Sequence, residues 1–537
     1  MTKISSSWYD INVPCRTSCP ADTDIPAYLE FISKDDFISA YKINLMANIF
    51  PGVLGMVCSS PCESSCRHGR NGNGESVNIC HAKKSSFDYS DKKFTKITPF
   101  FKSSKKNVAV IGGGVSGLAC ARELSLFGHS VSIFEKNNFL GGLLVSGIPD
   151  FRLDKKIVEY EIEQILSLGI KYKLNISLGK DILINDLILD FDAVIIAAGT
   201  DKLNYPNAPS NNSLSIHGID YLKNSLLSDS LETFDNVSII GSSFTAMDCA
   251  RTALRNYSKE VNVYARNDFK NNLHLTKELE ALLKEGGNTH NHHSLLKVKN
   301  NLTYFTNSKS HQQDLLIYAT GQFPDYDILD NKIKKTLLNK NGFDGVFLTG
   351  DFKTGSSTLI DAIADAKKIS RIVDQYLMKE MRFENKIISG QKIQSKVNGK
   401  PTIRSIEMNF LPRINTEKII KKKNKSEIGI NFFNKTTSKN ESLRCYLCNL
   451  KFEIDDKKCV LCDECLKVKP KEKCIVEISS ISNDENYSEF KSKRDPSLYY
   501  SKLFIDTDEC VRCGECERVC PTNAISIQKV SKLEVTI

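Results

Sequence analysis

The chain has 537 residues, a net charge of +9, and apolar and aromatic contents that are ordinary for globular proteins. It contains no apolar run of the roughly 18 residues that a membrane-spanning helix needs, and its N-terminus lacks the apolar stretch of a signal peptide. Composition therefore excludes an integral membrane protein and predicts a cytoplasmic one. No basic patch interleaved with aromatic side chains predicts a nucleic-acid partner, and the length predicts about three or four domains.

The 18 cysteines are distributed unevenly along the chain. Six lie between residues 15 and 80, ten lie between residues 445 and 520, and the remaining two are Cys120 and Cys249. In a chain without a secretion signal, dense C-x2-C spacing is typical of metal or iron–sulfur sites and not of disulfides. We therefore expect metal-binding domains at both ends of the sequence.

The N-terminal cysteines form two groups, CRTSCP and CSSPCESSC, followed by one more distant cysteine. The segment from Ile25 to Ala47 has the apolar spacing of helices, which predicts a small α-helical domain. Thiolates in two such groups can converge on iron–sulfur clusters, and a zinc site is the alternative that the spacing leaves open. The candidate ligands are Cys15, Cys19, Cys58, Cys62, Cys66 and Cys80.

A dinucleotide-binding turn is predicted at VAVIGGGVSGLACARELSLFGHSVSIFE. An apolar strand, Val108 to Ile111, leads into G-x-G-x-x-G at the start of a helix. Gly112 permits the tight turn, Gly114 lets the backbone approach a pyrophosphate, and Gly117 lets the helix pack close to the strand. The helix N-terminus offers N–H groups to the phosphates, and Glu135, at the end of the next strand, can accept hydrogen bonds from a ribose.

Two later strands, in FDAVIIAAGT and GVFLTGD, end in small residues. Such strands pass beneath a bound dinucleotide, where bulky side chains would clash, and they add Gly199 and Gly350 to the predicted site. Asp351 is placed to bond a ribityl hydroxyl or a phosphate-side group of a flavin nucleotide. The segment from Ser356 to Lys368 is predicted to be a helix whose first N–H groups face the isoalloxazine end.

A second strand–turn–helix unit, NVSIIGSSFTAMDCARTALR, is inserted between these pieces. Gly241 keeps the first glycine of the fingerprint, but Ser243 and Ala246 take the places of the second and third. A Cβ at residue 243 crowds the approach to a pyrophosphate. No acid ends the following strand, and Arg266 stands there instead, which suits the 2′-phosphate of NADPH.

The most specific signal in the chain is CVRCGECERVCP, near its C-terminus. This C-x2-C-x2-C-x3-C-P run is that of bacterial ferredoxins, in which the fourth cysteine ligates the other cluster of a pair. An upstream run begins in the same way, but Lys469 stands at its fourth position and Cys474 is the expected substitute. The predicted [4Fe–4S] ligand sets are Cys459, Cys462, Cys465 and Cys520, and Cys474, Cys510, Cys513 and Cys516.

Two preceding stretches have less definite roles. Residues 381–440 are rich in Lys and Asn, which predicts an extended surface linker, with KKKNK at 421–425 as a solubilising run. Cys445 and Cys448, in RCYLC, belong to neither ferredoxin set. They are candidates for a variant ligand arrangement or for a small additional site.

Together these pieces resemble the glutamate synthase small-subunit family of iron–sulfur flavoproteins, which is related to the N-terminal half of dihydropyrimidine dehydrogenase. The resemblance covers nearly the whole chain, including CRTSCPADTDIPAYL, GVLGMVCSSPCESSC, GGLLVSGIPDFRL, TAMDCARTALR, LTGD and the tail with EMNFLPR and RCYLC. It implies [4Fe–4S] clusters in the N-terminal domain, FAD in the first dinucleotide site and NADPH in the second. It also implies cofactor-binding roles for Gly142, Leu143 and Arg152.

The fold class expected from the motifs and the resemblance is α/β, with two nested Rossmann-like domains. An N-terminal α-helical iron–sulfur domain and a C-terminal α+β ferredoxin-like domain flank them. The expected boundaries are 1–100 for the N-terminal domain, 101–230 and 336–380 for the FAD domain, 231–335 for the NAD(P)-binding-like domain, 381–440 for the linker and 441–537 for the ferredoxin-type domain.

The chain departs from the family pattern in its N-terminal cysteines. Ser7 and Asp10 stand where the family has a C-x2-C pair, and Leu54 replaces a further cysteine. We therefore expect one N-terminal [4Fe–4S] cluster and not two. Its surest ligands are Cys19, Cys62 and Cys66, and the fourth comes from Cys15, Cys58 or Cys80.

The expected function is that of an oxidoreductase passing electrons between NADPH or NADH, FAD, [4Fe–4S] clusters and a partner. That partner is a catalytic subunit, such as a glutamate synthase large-subunit-like chain or another reductase, or a redox protein such as ferredoxin. No constellation for acid, base or nucleophilic catalysis is visible. The alternative, motivated by Ser243, is an electron-transfer subunit in which FAD bridges cluster domains without nucleotide turnover.

Overall fold

The computed structural model describes residues 6–70, 74–91, 97–207, 214–227, 232–271, 275–338, 344–397, 400–401, 405, 407–408, 411–416, 431–478 and 502–536. The predicted solubilising run at 421–425 lies outside these residues. Within the ranges described, no helix is both long enough and apolar enough to cross a membrane.

The N-terminal residues form short helices, as predicted. The stretch with continuous helical spacing divides in two, because the carboxylate of Asp36 accepts a hydrogen bond from Ser39 N (2.9 Å) and starts a new helix. The preceding residue, Asp35, has a φ of 66° that ends the helix before it. These helices are α1 (Ser6–Asn12), α2 (Pro14–Thr17), α3 (Ile25–Ser33), α4 (Phe37–Asn48), α5 (Pro51–Val57), α6 (Pro61–Ser64) and α7 (Ile79–Tyr89).

The first Rossmann-like unit follows. Its opening elements alternate between apolar strands and helices, which is the pattern of a parallel sheet covered on both faces. They are β1 (Asn107–Ile111), α8 (Val115–Leu126), β2 (Ser130–Phe134), α9 (Leu143–Ser146), α10 (Lys155–Leu166), β3 (Lys171–Lys173), α11 (Ile184–Asp190), β4 (Ala193–Ile196) and β5 (Lys202–Leu203).

The second unit is inserted after β5. It has the same alternation, with a small antiparallel sheet added. Its elements are β6 (Ser215–His217), α12 (Gly218–Leu227), β7 (Asn236–Ile240), α13 (Phe244–Arg255), β8 (Glu260–Tyr264), α14 (Thr276–Lys284), β9 (Asn288–His290), β10 (Leu295–Lys299), β11 (Leu302–Phe305), β12 (Ser310–Gln312), β13 (Leu315–Tyr318), β14 (Gln322–Phe323) and α15 (Asn331–Leu338).

The chain then returns to the first unit and completes it with β15 (Val346–Leu348), α16 (Asp351–Thr354) and α17 (Leu359–Met378). The two parallel sheets have the strand orders β15-β4-β1-β2-β3 and β6-β13-β7-β8-β9. The predicted pair of nested Rossmann-like units is therefore confirmed.

The C-terminal elements form an α+β unit that includes part of the predicted linker. Strand β16 (Phe383–Ile393) pairs antiparallel with the last strand of the chain, so this part of 381–440 is not an extended surface segment. The register of this pairing shifts after Ser389. The remaining elements are β17 (Lys396–Val397), β18 (Lys400–Pro401), α18 (Lys435–Leu443), β19 (Leu450–Ile454), α19 (Glu464–Lys467), β20 (Ile475–Ile478), β21 (Lys502–Ile505), α20 (Glu515–Val519) and β22 (Ile525–Thr536).

A buried carboxylate joins the N-terminal helices to the first Rossmann-like unit. Glu161, on α10, is 2% exposed and accepts hydrogen bonds from the backbone N–H groups of Gly52 (2.7 Å) and Val53 (3.0 Å), at the start of α5. The negative charge thus satisfies two N–H groups that the helix itself cannot use, and it lies at the positive end of the helix dipole.

Replacing this carboxylate should destabilise the whole assembly. In Glu161→Ala two buried N–H groups lose their acceptor, and we expect the free energy of unfolding to fall by about 2–3 kcal/mol. Glu163→Ala, an exposed glutamate of the same helix, is the matched control and should change it by less than about 0.5 kcal/mol. Denaturant titration followed by circular dichroism measures both free energies of unfolding. An equally small loss of stability in the two variants would contradict the role of Glu161 as acceptor for the two N–H groups.

Candidate functional site

The first glycine turn is shaped to admit a ligand at one position and to pack tightly at the others. A Cβ on Gly112, whose φ is +100°, would lie 2.4 Å from the carbonyl oxygen of Ala197, and one on Gly117 would lie 1.9 Å from that of Gly112. At Gly114, by contrast, the nearest atom is the Cα of Gly142, at 4.0 Å. Space is therefore left beside the backbone of Gly114, at the N-terminus of α8.

Polar and apolar groups surround this space. Glu135, 4% exposed at the end of β2, accepts a hydrogen bond from Gly113 N (2.6 Å) and so faces the turn. Gly142, with a φ of +54°, brings a second loop against Gly114. The next residue, Leu143, leaves 41% of its surface exposed and offers an apolar face beside the turn.

The ends of β4 and β15 form the other side of the site. Gly199 has a φ of +70° with nothing within 4 Å of a built Cβ, while a Cβ on Gly350 would meet Ser116 of α8. The carboxylate of Asp351 accepts from the backbone N–H (3.1 Å) and hydroxyl of Ser357, just before α17. The approach of Gly350 to Ser116 and the hydrogen bond between Ser357 and Asp351 thus bring the end of β15 to the N-termini of α8 and α17.

Asp365 supports this side of the site and was missed by the sequence analysis. Its carboxylate accepts from the hydroxyl of Thr349 (3.0 Å) and from Gly350 N (2.9 Å), and it pairs with Lys353 (2.6 Å). It holds the turn that carries Asp351. No sequence motif includes Asp365, because it lies on the second turn of α17 and its partners, Thr349 and Gly350, precede that helix.

These features fit a dinucleotide. The helix N-terminus and the room at Gly114 suit a pyrophosphate, the carboxylate of Glu135 suits a ribose, and the apolar face of Leu143 suits a flat ring. The arrangement can hold FAD through its backbone N–H groups, with few charged contacts.

The second glycine turn has the same tight backbone packing as the first, but a serine stands at the position that corresponds to Gly114. A Cβ on Gly241 would lie 2.2 Å from the carbonyl oxygen of Ala319, which parallels Gly112. The side chain of Ser243 caps α13, its oxygen accepting from Ala246 N at 3.3 Å, so it occupies a helix N–H that a phosphate would use. Arg266 is exposed just beyond β8.

Arg152 is engaged differently from the sequence-based expectation of cofactor binding. Its guanidinium, in a side chain 9% exposed, bonds both carboxylate oxygens of Asp248 (2.9 and 2.8 Å) and pairs with Glu278 (2.9 Å). Because both carboxylates belong to the second unit, Arg152 acts as an ionic link between the two Rossmann-like units. Its motif, GIPDFRL, does not reveal partners so distant in the sequence.

The N-terminal cysteines separate into two groups in space. In the first, the neighbouring Cys80 raises the pKa of the Cys58 and Cys62 thiols, and burial raises it further. Cys19 belongs with them, since the buried ammonium of Lys83 lies near all four sulfurs. This group, called the N-terminal site, comprises Cys19, Cys58, Cys62 and Cys80.

The second group unites the two ends of the chain. One cavity is lined by the remaining two N-terminal cysteines together with both cysteines of RCYLC. Burial raises the pKa of Cys15 well above its ordinary value, and the neighbouring Cys448, Cys445 and Cys66 raise it further. This group, called the bridging site, comprises Cys15, Cys66, Cys445 and Cys448.

This grouping corrects the expected N-terminal ligand set. Cys66 was placed with Cys19 and Cys62, but it lies across the cavity with Cys15. Two groups of four thiols, and not one, are present at this end of the molecule. The sequence analysis could not reach this result because half of the second group comes from about 380 residues further along the chain.

The C-terminal cysteines form two groups of four, with the membership expected from the ferredoxin spacing. A cavity is lined by one set, called the distal ferredoxin site: Cys459, Cys462, Cys465 and Cys520. Burial raises the pKa of Cys474, and the neighbouring Cys510 and Cys513 raise it further. Cys516 lies near the same two cysteines. This second set, called the proximal ferredoxin site, comprises Cys474, Cys510, Cys513 and Cys516.

Among the described residues, no group of three or more His, Cys, Asp or Glu side chains is spaced to hold a single metal ion. A [4Fe–4S] cluster has a different requirement, since each of its four cysteines binds a different iron. Thiols that surround a cavity without converging on one point fit that chemistry.

Comparisons with known protein families agree with this architecture. Residues 102–366 match the pyridine nucleotide-disulphide oxidoreductase family, and residues 10–95 match the family described as dihydropyrimidine dehydrogenase domain II, 4Fe-4S cluster. Residues 503–526 match the 4Fe-4S binding domain. The chain therefore carries an FAD- and nucleotide-binding oxidoreductase domain between iron–sulfur domains.

Three relatives show how far the likeness extends. The NADP(+)-dependent formate dehydrogenase subunit beta of Moorella thermoacetica is 30% identical, over 68% of this chain and 60% of the relative. The glutamate synthase [NADPH] small chain of Azospirillum brasilense is 29% identical, over 67% of this chain and 86% of the relative. The NADPH-Fe(3+) oxidoreductase subunit beta of Geobacter sulfurreducens is 34% identical, over 46% of this chain and 38% of the relative.

The chain thus spans less than two thirds of two of these relatives and most of the glutamate synthase small chain. The matched domains occur in the order that the sequence motifs predicted. The chain is thus similar, in its matched domains and their order, to iron–sulfur flavoprotein oxidoreductases such as the glutamate synthase small chains.

Proposed function

We propose that the chain moves electrons between NADPH and a partner redox protein through FAD and protein-bound [4Fe–4S] clusters. FAD exchanges two electrons with a nicotinamide and single electrons with iron–sulfur clusters. The observation that carries the proposal is one continuous hydrophobic core. It contains Val108 and Val110 of β1, the central strand of the first nucleotide site, and cysteines of both iron–sulfur domains.

In this proposal the first glycine turn holds FAD. Gly114 and the N-terminus of α8 bind the pyrophosphate, and Glu135 binds the adenosine ribose. Asp351 faces the ribityl chain, and Leu143 excludes water from one side of the ring. These groups bind and orient the cofactor, and no side chain of the site is assigned an acid or base role.

The second unit is proposed to bind NADPH. Its backbone turn at Gly241 has the form of a nucleotide site, and the exposed guanidinium of Arg266 suits a 2′-phosphate, which NADH lacks. The three relatives are all named for NADP(+) or NADPH. The competing function, an electron-transfer subunit without nucleotide turnover, is favoured by the cap that Ser243 forms on α13.

Restoring the glycine at this position should strengthen nucleotide binding. Ser243→Gly removes the Cβ and frees Ala246 N for a phosphate, at a cost to the helix cap of only a few tenths of a kcal/mol. We expect the Kd for NADPH to fall about tenfold, which corresponds to roughly 1.4 kcal/mol. Fluorescence titration with NADPH measures it, with Arg266→Ala as the opposite control. An unchanged or raised Kd in Ser243→Gly would contradict the proposed pyrophosphate position.

The partner is proposed to be a separate catalytic subunit, for example a glutamate synthase large-subunit-like chain or another reductase. The relatives are named as subunits or as a small chain, which supports this assignment. A ferredoxin is the alternative partner, reached through the C-terminal domain.

All eighteen cysteines are free of disulfides, which suits a reducing cytoplasm.

The two functions are separated by one experiment. Anaerobic protein is mixed with NADPH, then with NADH, while the visible band of the oxidised flavin is followed. Bleaching by NADPH supports the oxidoreductase. No bleaching with either nucleotide, alongside normal bleaching by reduced ferredoxin, would establish the electron-transfer subunit instead.

A further inference from the structure

Cys445 and Cys448 have no place in either ferredoxin ligand set, yet their position is well defined. They lie beside Cys15 and Cys66 around one cavity whose other walls are mostly apolar, with Arg67 and His68 also lining it. Cys15 and Cys448 are 8% and 7% exposed. Four thiols from both ends of the chain around one cavity indicate a common ligand.

The geometry points to a further [4Fe–4S] cluster in the bridging site, held by two N-terminal and two C-terminal thiolates. The site would complete four tetracysteine sets, so that sixteen of the eighteen cysteines ligate iron. Cys120 and Cys249, buried within α8 and α13, are the two left over.

A backbone N–H group points at one sulfur of this site, since Leu447 N donates to the sulfur of Cys445 at 3.4 Å. The side chain of Arg67 also lines the cavity and brings a positive charge to it. Such groups stabilise metal-bound thiolates, which must remain charged inside the protein.

The RCYLC segment is fixed in place by a buried ion pair. Arg444, 1% exposed, pairs with Glu441 (2.6 Å) and donates to His68 Nδ1 (3.0 Å) and to the carbonyl oxygen of Glu75 (2.6 Å). Glu441 in turn accepts from Asn78 N at 2.9 Å. Every one of these N-terminal partners lies between Cys66 and Cys80, so the C-terminal pair is docked against the N-terminal ligands independently of any metal.

The bridging site also lies between the other cysteine groups. Cys15 and Cys448 of this site share one hydrophobic core with Cys19 and Cys62 of the N-terminal site and with Cys513 of the proximal ferredoxin site. A second core contains Cys474 and Cys516 of the proximal site together with Cys465 of the distal one. A cluster in the bridging site would therefore connect the N-terminal site to the two ferredoxin sites.

Iron content tests the inference without any nucleotide or partner, so its failure is distinct from failure of the proposed function. Four clusters require about sixteen irons per chain, whereas three require about twelve. The protein is purified anaerobically, its clusters are reconstituted, and iron, sulfide, zinc and flavin are measured. We expect about sixteen irons, with no zinc, in the full chain.

Variants then locate the fourth cluster. Cys445→Ser and Cys448→Ser should each lose about four irons while flavin is retained, which reports that the fold is intact. Cys249→Ala, a buried cysteine outside the four sites, is the matched control and should keep them all. Mössbauer spectra of the wild-type protein give a second count that needs no variant.

A wild-type value of about twelve irons would overturn the inference. So would one zinc per chain that disappears in Cys448→Ser, because the four thiols would then bind a single ion. Unchanged iron in both serine variants with flavin retained would also overturn it.

Discussion

Gly114→Val should yield a folded protein that contains no FAD. The fold tolerates the change because the nearest atom to a Cβ at residue 114 is 4.0 Å away and the backbone there is extended, with a φ of −75° and a ψ of −170°. A branched side chain would fill the space assigned to the pyrophosphate. We expect flavin content after purification to drop at least tenfold while the far-ultraviolet circular dichroism is unchanged.

The matched control is a valine at the corresponding position of the second Rossmann-like unit. Ser243 also has extended backbone, with a φ of −109°, so Ser243→Val should keep FAD and lose the response to NADPH. Gly117→Val is the opposite case, since its side chain would collide with the carbonyl oxygen of Gly112 and should prevent folding. Normal FAD content in Gly114→Val would show that the cofactor lies elsewhere.

Lys83→Met should lower the reduction potential of the N-terminal site. Lys83 is 3% exposed and bonds Asn48 (3.3 Å); burial opposes its charge, but the surrounding Cys58, Cys80, Cys19 and Cys62 raise its pKa and keep it protonated. A positive charge beside a cluster favours its reduced, more negative form. At an effective dielectric near 20, such a charge contributes about 2 kcal/mol, which is on the order of 100 mV for a one-electron couple.

Redox titration followed by electron paramagnetic resonance measures the shift in one cluster signal. Lys83→Arg preserves the charge and should restore most of the potential. Lys84→Met is the positional control, because Lys84 is equally buried but its charge is balanced by Asp88 at 2.5 Å. A cluster potential that is the same in Lys83→Met and Lys84→Met would contradict a ligand role for the four N-terminal-site cysteines.

The parts of the site that could be predicted from the sequence are those whose residues follow one another closely. The turn from Gly112 to Gly117 is such a case, because strand, turn and helix are consecutive and each glycine has a local steric reason. The ferredoxin run ending at Cys520 is another, since its spacing alone specifies which cysteine reaches across to the other set.

What could not be predicted depends on contacts between distant segments. Cys66 was grouped with its sequence neighbours, whereas the structure pairs it with Cys15 and the RCYLC cysteines. Arg152 was assigned to the cofactor, but Asp248 and Glu278 of the inserted unit hold it. Strand β16 was taken for linker because its hydrogen-bonding partner is the last strand of the chain. No local pattern carries information of this kind.

The central claim is that electrons from NADPH reach the iron–sulfur clusters of this same chain through FAD. It is tested most directly by adding a few equivalents of NADPH to the anaerobic protein, freezing it, and recording the electron paramagnetic resonance spectrum of reduced [4Fe–4S] centres. The account predicts that the flavin band bleaches and that reduced-cluster signals appear together in the wild-type protein, and that both are absent in Gly114→Val. Reduced clusters in Gly114→Val, or a bleached flavin with clusters that stay oxidised, would contradict it.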